Sequence, residues 1–506
     1  MLVLQSVPAL INRENILHGG SLFKMKRLLA PLVLLALLVQ PAAAQQPDAV
    51  REQTDRLATS ILIGGRSMQY VTELADTFGG RLTGSTAYAR SAEWAAARFR
   101  EAGIRNVKLE PFTMPQVWER GWANARMTAP MARPLHLESL GWSPSTPAGG
   151  IRGEVVMMQD LSPEKIQADT AKLKGRIALI NTAVLFAQGP SVYPLIFAAP
   201  QRLKDVGATA MVLSDNEANN VLNAFALTWG GQATVLPTAQ VGQEDAKLMM
   251  RLLGRGPVNI EFQYENRLSG PAEVNNVVAE IRGREKPDEW IIIGAHLDSW
   301  DYGTGAQDNG TGSAMVLEAA RAIAALGQPP RRSIRFALWG GEEEGLIGST
   351  AYVKAHASEL KSCVAVLNTD NGAGHPKGWK VEGRSDVAAA LAPLTQAMLA
   401  GLGGDGISQE ATFDTDHGPF MLEGIPALDL WVDMKPYGLI HHKTSDTVDK
   451  IDAHNLALGS AIVAMTAYNI AEREAPLAPH IEREAVDQIV QKTGMAALLK
   501  LVGVWK

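Results

Sequence analysis

His296, Asp298, Asp308, Glu342, Glu343, Asp370, His441 and His442 are the residues of this 506-residue chain whose types suit one kind of chemistry. Imidazole and carboxylate together make a ligand set for zinc, with manganese and cobalt competing for the same N/O donors. A carboxylate shared by two cations can hold them about 3.5–4 Å apart, the spacing of two-metal hydrolytic sites. The single cysteine, Cys363, excludes an intramolecular disulfide and a thiolate zinc site, so any metal must use His, Asp and Glu. Cys363 opens the apolar run Cys363–Leu367 and reads as a buried strand thiol.

The elements that must position these residues alternate from Asn276 onward. Short apolar or β-branched runs at Val277–Ile281, Trp290–Ala295, Ile334–Trp339, Val364–Leu367 and Ala427–Leu430 read as strands. Between them lie helical patterns such as Ser313–Leu326, and Leu456–Arg473 is a last strongly periodic helix. That alternation predicts an α/β fold with a mixed, largely parallel sheet flanked by helices. Ligands gather at the carboxyl ends of such strands. His296 follows the second run, the Glu342-Glu343-Glu344 triplet the third, and Asp370 the fourth. Taken singly, each has a bland reading: a hydrogen-bonded histidine, a solvated helix start, a turn at Asp308-Asn309-Gly310. Their coincidence at one sheet edge argues for a metal site.

The remaining texture divides the chain. Met25-Lys26-Arg27, the apolar Leu28–Val39 and Ala42-Ala43-Ala44 read as a signal peptide. Residues 1–44 are therefore a leader with its core at 25–44, Met25 is the expected start, and the mature protein is expected to be exported, periplasmic or extracellular, without a membrane span. Residues 45–135 and 268–475 are assigned to the catalytic domain and 136–267 to an inserted β-rich domain. Residues 476–506 form a tail, helical at Ile481–Gln491. A net charge of −6 argues against a sequence-independent nucleic-acid binder, which needs clustered Lys and Arg.

The motifs Gly294-Ala295-His296-Leu297-Asp298-Ser299-Trp300, Gly305–Gly310, Trp339–Leu346 and His441–Thr447 together resemble the co-catalytic zinc exopeptidases. That family includes bacterial leucyl aminopeptidases, glutamate carboxypeptidase II and carboxypeptidase Q. The carboxypeptidase Q branch is the nearest likeness, through Gly80–Ser85, Trp118–Gly121 and the continuation into Asp301. In the insert, Lys174–Ala178, Gly207-Ala208 and Leu236-Pro237 resemble a protease-associated domain.

The resemblance implies two zinc ions, one on His296, Asp308 and Asp370, the other on Asp308, Glu343 and His442, with Asp308 bridging. It places Glu342 as general base and Asp298 behind His296 as its orienting partner. His441 stands where several relatives carry a tyrosine, and His441 and Asp416 are candidate contacts to the oxyanion or substrate. The implied activity is hydrolysis of dipeptides or short peptides, with a homodimer as a candidate assembly. Three alternatives stand beside it: an aminopeptidase on longer peptides, a glutaminyl-cyclase-like acyl transfer, and a receptor-like member without catalysis. Neither Gly-x-Ser-x-Gly nor His-Glu-x-x-His occurs, which argues against serine-hydrolase and thermolysin-type sites.

Overall fold

The computed structural model describes residues 48–189, 192–494, 496–501 and 504–505; the expected leader at 1–44 lies outside the described residues. Two eight-stranded sheets organise the chain. The first runs in the order Asn106–Met114, Ala272–Ile281, Arg332–Trp339, Lys286–His296, Cys363–Asn368, Ala427–Val432, Pro376–Lys380, Gly406–Ser408. Its four central strands, from Arg332–Trp339 to Ala427–Val432, are mutually parallel, and antiparallel neighbours flank them. The expected mixed, largely parallel sheet is the one observed.

The strand Lys286–His296 shows why it sits at the centre. Ile291, Ile293 and Ala295 face a core shared with helices Gly312–Ala324 and Ala453–Glu472, while Trp290 and Ile292 face an opposite core with Tyr352 and Phe420. Period-two alternation with both sets apolar is the pattern of a strand covered on both faces. The register then levels the strand ends: His296 lies opposite Trp339 and Gly294 opposite Asn368. Residues that follow these three strands therefore emerge along one edge.

A helix spans Thr86–Glu101, and the Ser85 side chain accepts from the Tyr88 N–H at its start. The tail helix runs Arg483–Thr493 and buries Val486 and Val490 in the second core. No described helix is long and apolar enough to cross a membrane.

The second sheet takes its strands from Ala123 to Tyr264, in the order Arg133–Pro134, Ala123–Ala129, Asn259–Tyr264, Ile151–Met158, Ile177–Ile180, Ala210–Ser214, Thr238–Val241, Leu137–Ser139. The boundary expected at residue 136 thus falls inside this sheet. The alternation that places Ala125 and Met127 inward and Asn124 and Arg126 outward is too short and too polar to mark a strand by composition. A two-stranded ribbon, Val117–Glu119 paired with Arg267–Ser269, marks where the chain enters and leaves this unit.

Candidate metal centre

His296 closes its strand with the imidazole 1% exposed. Nδ1 lies 2.9 Å from the Asp298 carbonyl, which can only accept, so Nδ1 carries the proton and Nε2 offers a lone pair. That Nε2 stands 3.1 Å from Asp370 Oδ1 and 3.2 Å from Asp308 Oδ1. Asp298, expected to orient His296, meets it first through its backbone carbonyl, with Oδ1 at 3.5 Å. The other carboxylate oxygen accepts from the Glu343 N–H at 3.3 Å, tying the loop after one strand to the loop after the next.

Asp308 faces both ways. While Oδ1 approaches His296, Oδ2 lies 3.3 Å from His442 Nε2 and 3.5 Å from His441 Nε2. His442 Nε2 in turn lies 3.1 Å from Glu343 Oε2. Three overlapping groups result, Asp308/His441/His442, His296/Asp308/Glu343 and His296/Glu342/Asp370, the ligand atoms of each lying within 4.8 Å of one another. Four carboxylates and three imidazoles are thus concentrated below the surface. Asp416 belongs to none of these groups; it is buried close to His296, and burial pushes its carboxyl up to about 7.

The electrostatics of the centre follow from that crowding. Burial opposes charge on His296, but Asp370, Asp298 and Asp308 hold its pKa well above the usual range. Burial likewise opposes charge on Asp308, yet His296 and His442 pull it well below the usual carboxylate range. Burial raises Asp370 to about 6 and carries Glu342 well above an ordinary glutamate. His441 moves the other way: burial and the neighbouring His442 keep it neutral. Asp308 Oδ2 is buried and makes no hydrogen bond among the described residues, although an imidazole stands beside it. Imidazole nitrogens and carboxylate oxygens converging at about 3 Å in a buried site, with Asp308 Oδ2 left without a hydrogen bond, fit a divalent cation, and the N/O donor set suits zinc.

Several residues with no role assigned from the sequence build this geometry. Arg81 is fully buried and donates to four carbonyls, those of Gly79, Leu297, Thr304 and Gly305, each at 2.8 Å. It fastens the His296 loop to the Asp308 loop. Asp446 accepts from the Gln307 and Asp308 N–H groups at 2.7 and 3.1 Å, which fixes the direction of the Asp308 side chain. Gly305, at φ +60°, is required there, because a Cβ would lie 2.2 Å from Ser299 Oγ. Trp300 sets its edge against the His442 ring at 5.9 Å, and Tyr437 packs on His441 at 4.9 Å. Asp446 and Arg81 lie within quoted motifs, but their roles depend on partners more than a hundred residues away. His442 itself has φ +61°, a conformation that costs a non-glycine residue roughly 1–3 kcal/mol unless its surroundings enforce it.

Residues 276–467, which hold all of these ligand candidates, match the model of Peptidase family M28. The chain is 30% identical over 424 residues to carboxypeptidase Q of Bos taurus, covering 81% of this chain and 86% of that protein. The chain belongs to peptidase family M28. It is a hydrolase acting on peptide bonds, and its family and its buried His/carboxylate cluster support a metallo-exopeptidase. A probable lipoprotein aminopeptidase of Mycobacterium tuberculosis is a second M28-like relative, 28% identical with 84% of this chain and 86% of that protein covered. The solved structure of a peptidase M28 precursor from Shewanella amazonensis superposes with a TM-score of 0.75 at 29% identity, covering 86% of this chain and 99% of that one. A zinc aminopeptidase from Bacillus subtilis shares the M28 fold at a TM-score of 0.64 and 22% identity, with 83% and 98% covered.

Proposed function

We propose that this M28 peptidase is an exported exopeptidase that cleaves dipeptides or short peptides with two zinc ions. His296, Asp308 and Asp370 would hold one ion and Asp308, Glu343 and His442 the other. The observation that carries this reading is Asp308, whose two oxygens face two different imidazoles at 3.2 and 3.3 Å. Bound there, divalent cations supply Lewis acidity, lowering the pKa of a water and polarising a carbonyl. Glu342 is the group of this chain that moves the proton. Its burial raises its basicity, so a carboxylate oxygen takes a proton from water and passes it to the leaving amine. His441, kept neutral, is positioned to donate a hydrogen bond to charge developing on the substrate oxygen. Asp298 aligns His296 through its carbonyl and the Glu343 turn through its carboxylate.

In this reading residues 45–135 and 268–475 supply the catalytic body, apart from the strands Ala123–Ala129 and Arg133–Pro134, which join the sheet of the inserted unit. The insert at 136–267 is a protease-associated unit that shapes the cleft and contributes no ligand to the three groups found among the described residues. Carboxypeptidase Q as a relative favours an exopeptidase, and the leader motif favours export. The test is hydrolysis of free, N-blocked and C-amidated dipeptides before and after prolonged chelation. Activity should vanish with the metal and return with zinc; turnover persisting with metal measured as absent would overturn the reading. Preference for the N-blocked or the C-amidated series shows which substrate terminus is anchored.

A further inference from the structure

The two halves of the centre are held by different parts of the molecule. His296 ends a central strand and Asp370 follows its neighbour, and their supports come from the same body: Leu297 N–H to the Trp339 carbonyl at 2.7 Å, Ser313 Oγ to the His296 carbonyl at 2.8 Å, Thr369 N–H to the Gly294 carbonyl at 3.1 Å. Glu343 and His442 instead lie in turns, where ligands are less firmly fixed than on regular elements.

Both turns are met by one segment of the inserted unit, residues 215–231. The Ala224 N–H donates to the carbonyl of His442 at 2.8 Å, and Asn223 forms an antiparallel bridge with Lys443. Glu217 pairs with the buried Lys443 ammonium at 3.1 Å. On the other turn, the Gly230 N–H donates to the Glu344 carbonyl at 2.7 Å. Trp229 lies so close to Gly345 that a Cβ there would stand 2.6 Å from its ring, with Gly345 at φ +122°. The segment is itself anchored, since the buried Asp215 carboxylate accepts from the Glu217 and Asn223 N–H groups at 2.7 and 2.8 Å.

We infer that residues 215–231 clamp the Glu343/His442 half of the centre, so that this half, and not the His296/Asp370 half, depends on that segment. The inference rests on the two-cation reading. His442 carries left-handed backbone at φ +61°, which persists only where the surroundings over-determine it. The clamp supplies a hydrogen bond to the carbonyl of that very residue and a second one beside Glu343. The inserted unit is thus a positioning element for the centre, although none of its described residues belongs to the three ligand groups.

The full chain, stripped of metal and titrated with zinc, tests this. The wild type should take up two equivalents. Ala224→Pro, which removes the donating N–H, and Trp229→Ala, which removes the ring from Gly345, should weaken one equivalent by about 10–100-fold, the range for supports behind ligands. The other equivalent should stay as it was. Amide exchange in the metal-free protein should quicken at 441–446 and not in the strand Lys286–His296. Should Ala224→Pro not fold, Trp229→Ala and Glu217→Gln still decide. Two unchanged equivalents, or two weakened alike, overturn the clamp while leaving two cations in place. A wild type that binds fewer than two overturns the two-cation reading and the clamp with it.

Discussion

Glu342 and Glu343 are neighbours in the chain with different surroundings. Glu343 accompanies His442 at 3.1 Å, whereas Glu342 stands in the group with His296 and Asp370. Glu342→Gln keeps the volume and removes the proposed proton acceptor. It should leave metal content intact and lower kcat by about 10²–10⁴-fold with little change in KM. Glu343→Gln should lose metal as well as rate, because an amide replaces an anionic ligand. Metal content and dipeptide turnover measured side by side check the pair; the reverse pattern would shift the assignment through the triplet. Arg81 acts at the same scale without touching substrate. Arg81→Ala would strand the buried carbonyls of Leu297 and Gly305 and release the part-buried ones of Gly79 and Thr304, and each unsatisfied buried acceptor costs about 1–3 kcal/mol. Urea denaturation should show a loss of at least about 2 kcal/mol, and zinc binding should weaken because the His296 and Asp308 loops come apart.

At the scale of elements, the ligand candidates His296, Glu343 and Asp370 were legible because each follows a strand that announces itself by β-branched and apolar runs, whereas His442 lies in the turn after the helix Lys435–Ile440. The last two strands of the sheet, Pro376–Lys380 and Gly406–Ser408, were not legible, since their residues carry no such pattern and their pairing depends on Gly378 at φ +136°. His356 gives a pH-dependent link between elements. Nε2 lies 2.8 Å from Glu110 on the strand Asn106–Met114, and Nδ1 meets Glu359 beyond the helix Ile347–Ala355. Arg335, paired with Glu280 and Glu359, and Tyr352, stacked on the imidazole, complete the surroundings. The Glu110 hydrogen bond, joined by Glu359, raises the His356 pKa above its ordinary value against the opposing effect of burial. A raised folded-state pKa stabilises the fold fully below the unfolded value, near 6.5, and the contribution disappears as pH rises through the folded value. The stability difference between wild type and His356→Gln should therefore be largest below about pH 6 and shrink on going alkaline. Denaturant midpoints at both ends of that range check it; a difference that grows with pH would refute the link.

At the scale of the whole molecule, what the sequence left hidden is how tightly the two sheets are joined. Trp142 belongs to the chain between strands of the second sheet, yet it stacks on Trp118 at 5.9 Å and meets Trp300 edge-on at 6.4 Å. Arg120 lies over Trp118 and Tyr302 at 4.8 and 4.3 Å and pairs with Asp301 at 2.8 Å. One apolar cluster runs without a break from Leu213 and Met158 of the insert to Ile293 and Leu367 of the body. Composition marks a change of texture near residue 136 but cannot show that both textures share a core. Units joined by a polar interface move and unfold separately, whereas a large apolar one couples them. Trp142 is fully buried, and truncating such a side chain costs about 3–5 kcal/mol. Thermal unfolding followed by far-ultraviolet circular dichroism and by tryptophan fluorescence should therefore give one coincident transition. Trp142→Ala should lower that single transition as a whole. Two resolved steps in the wild type, or a variant that moves only one of them, would mean that the aromatic wall is a contact between independent domains and not a shared core.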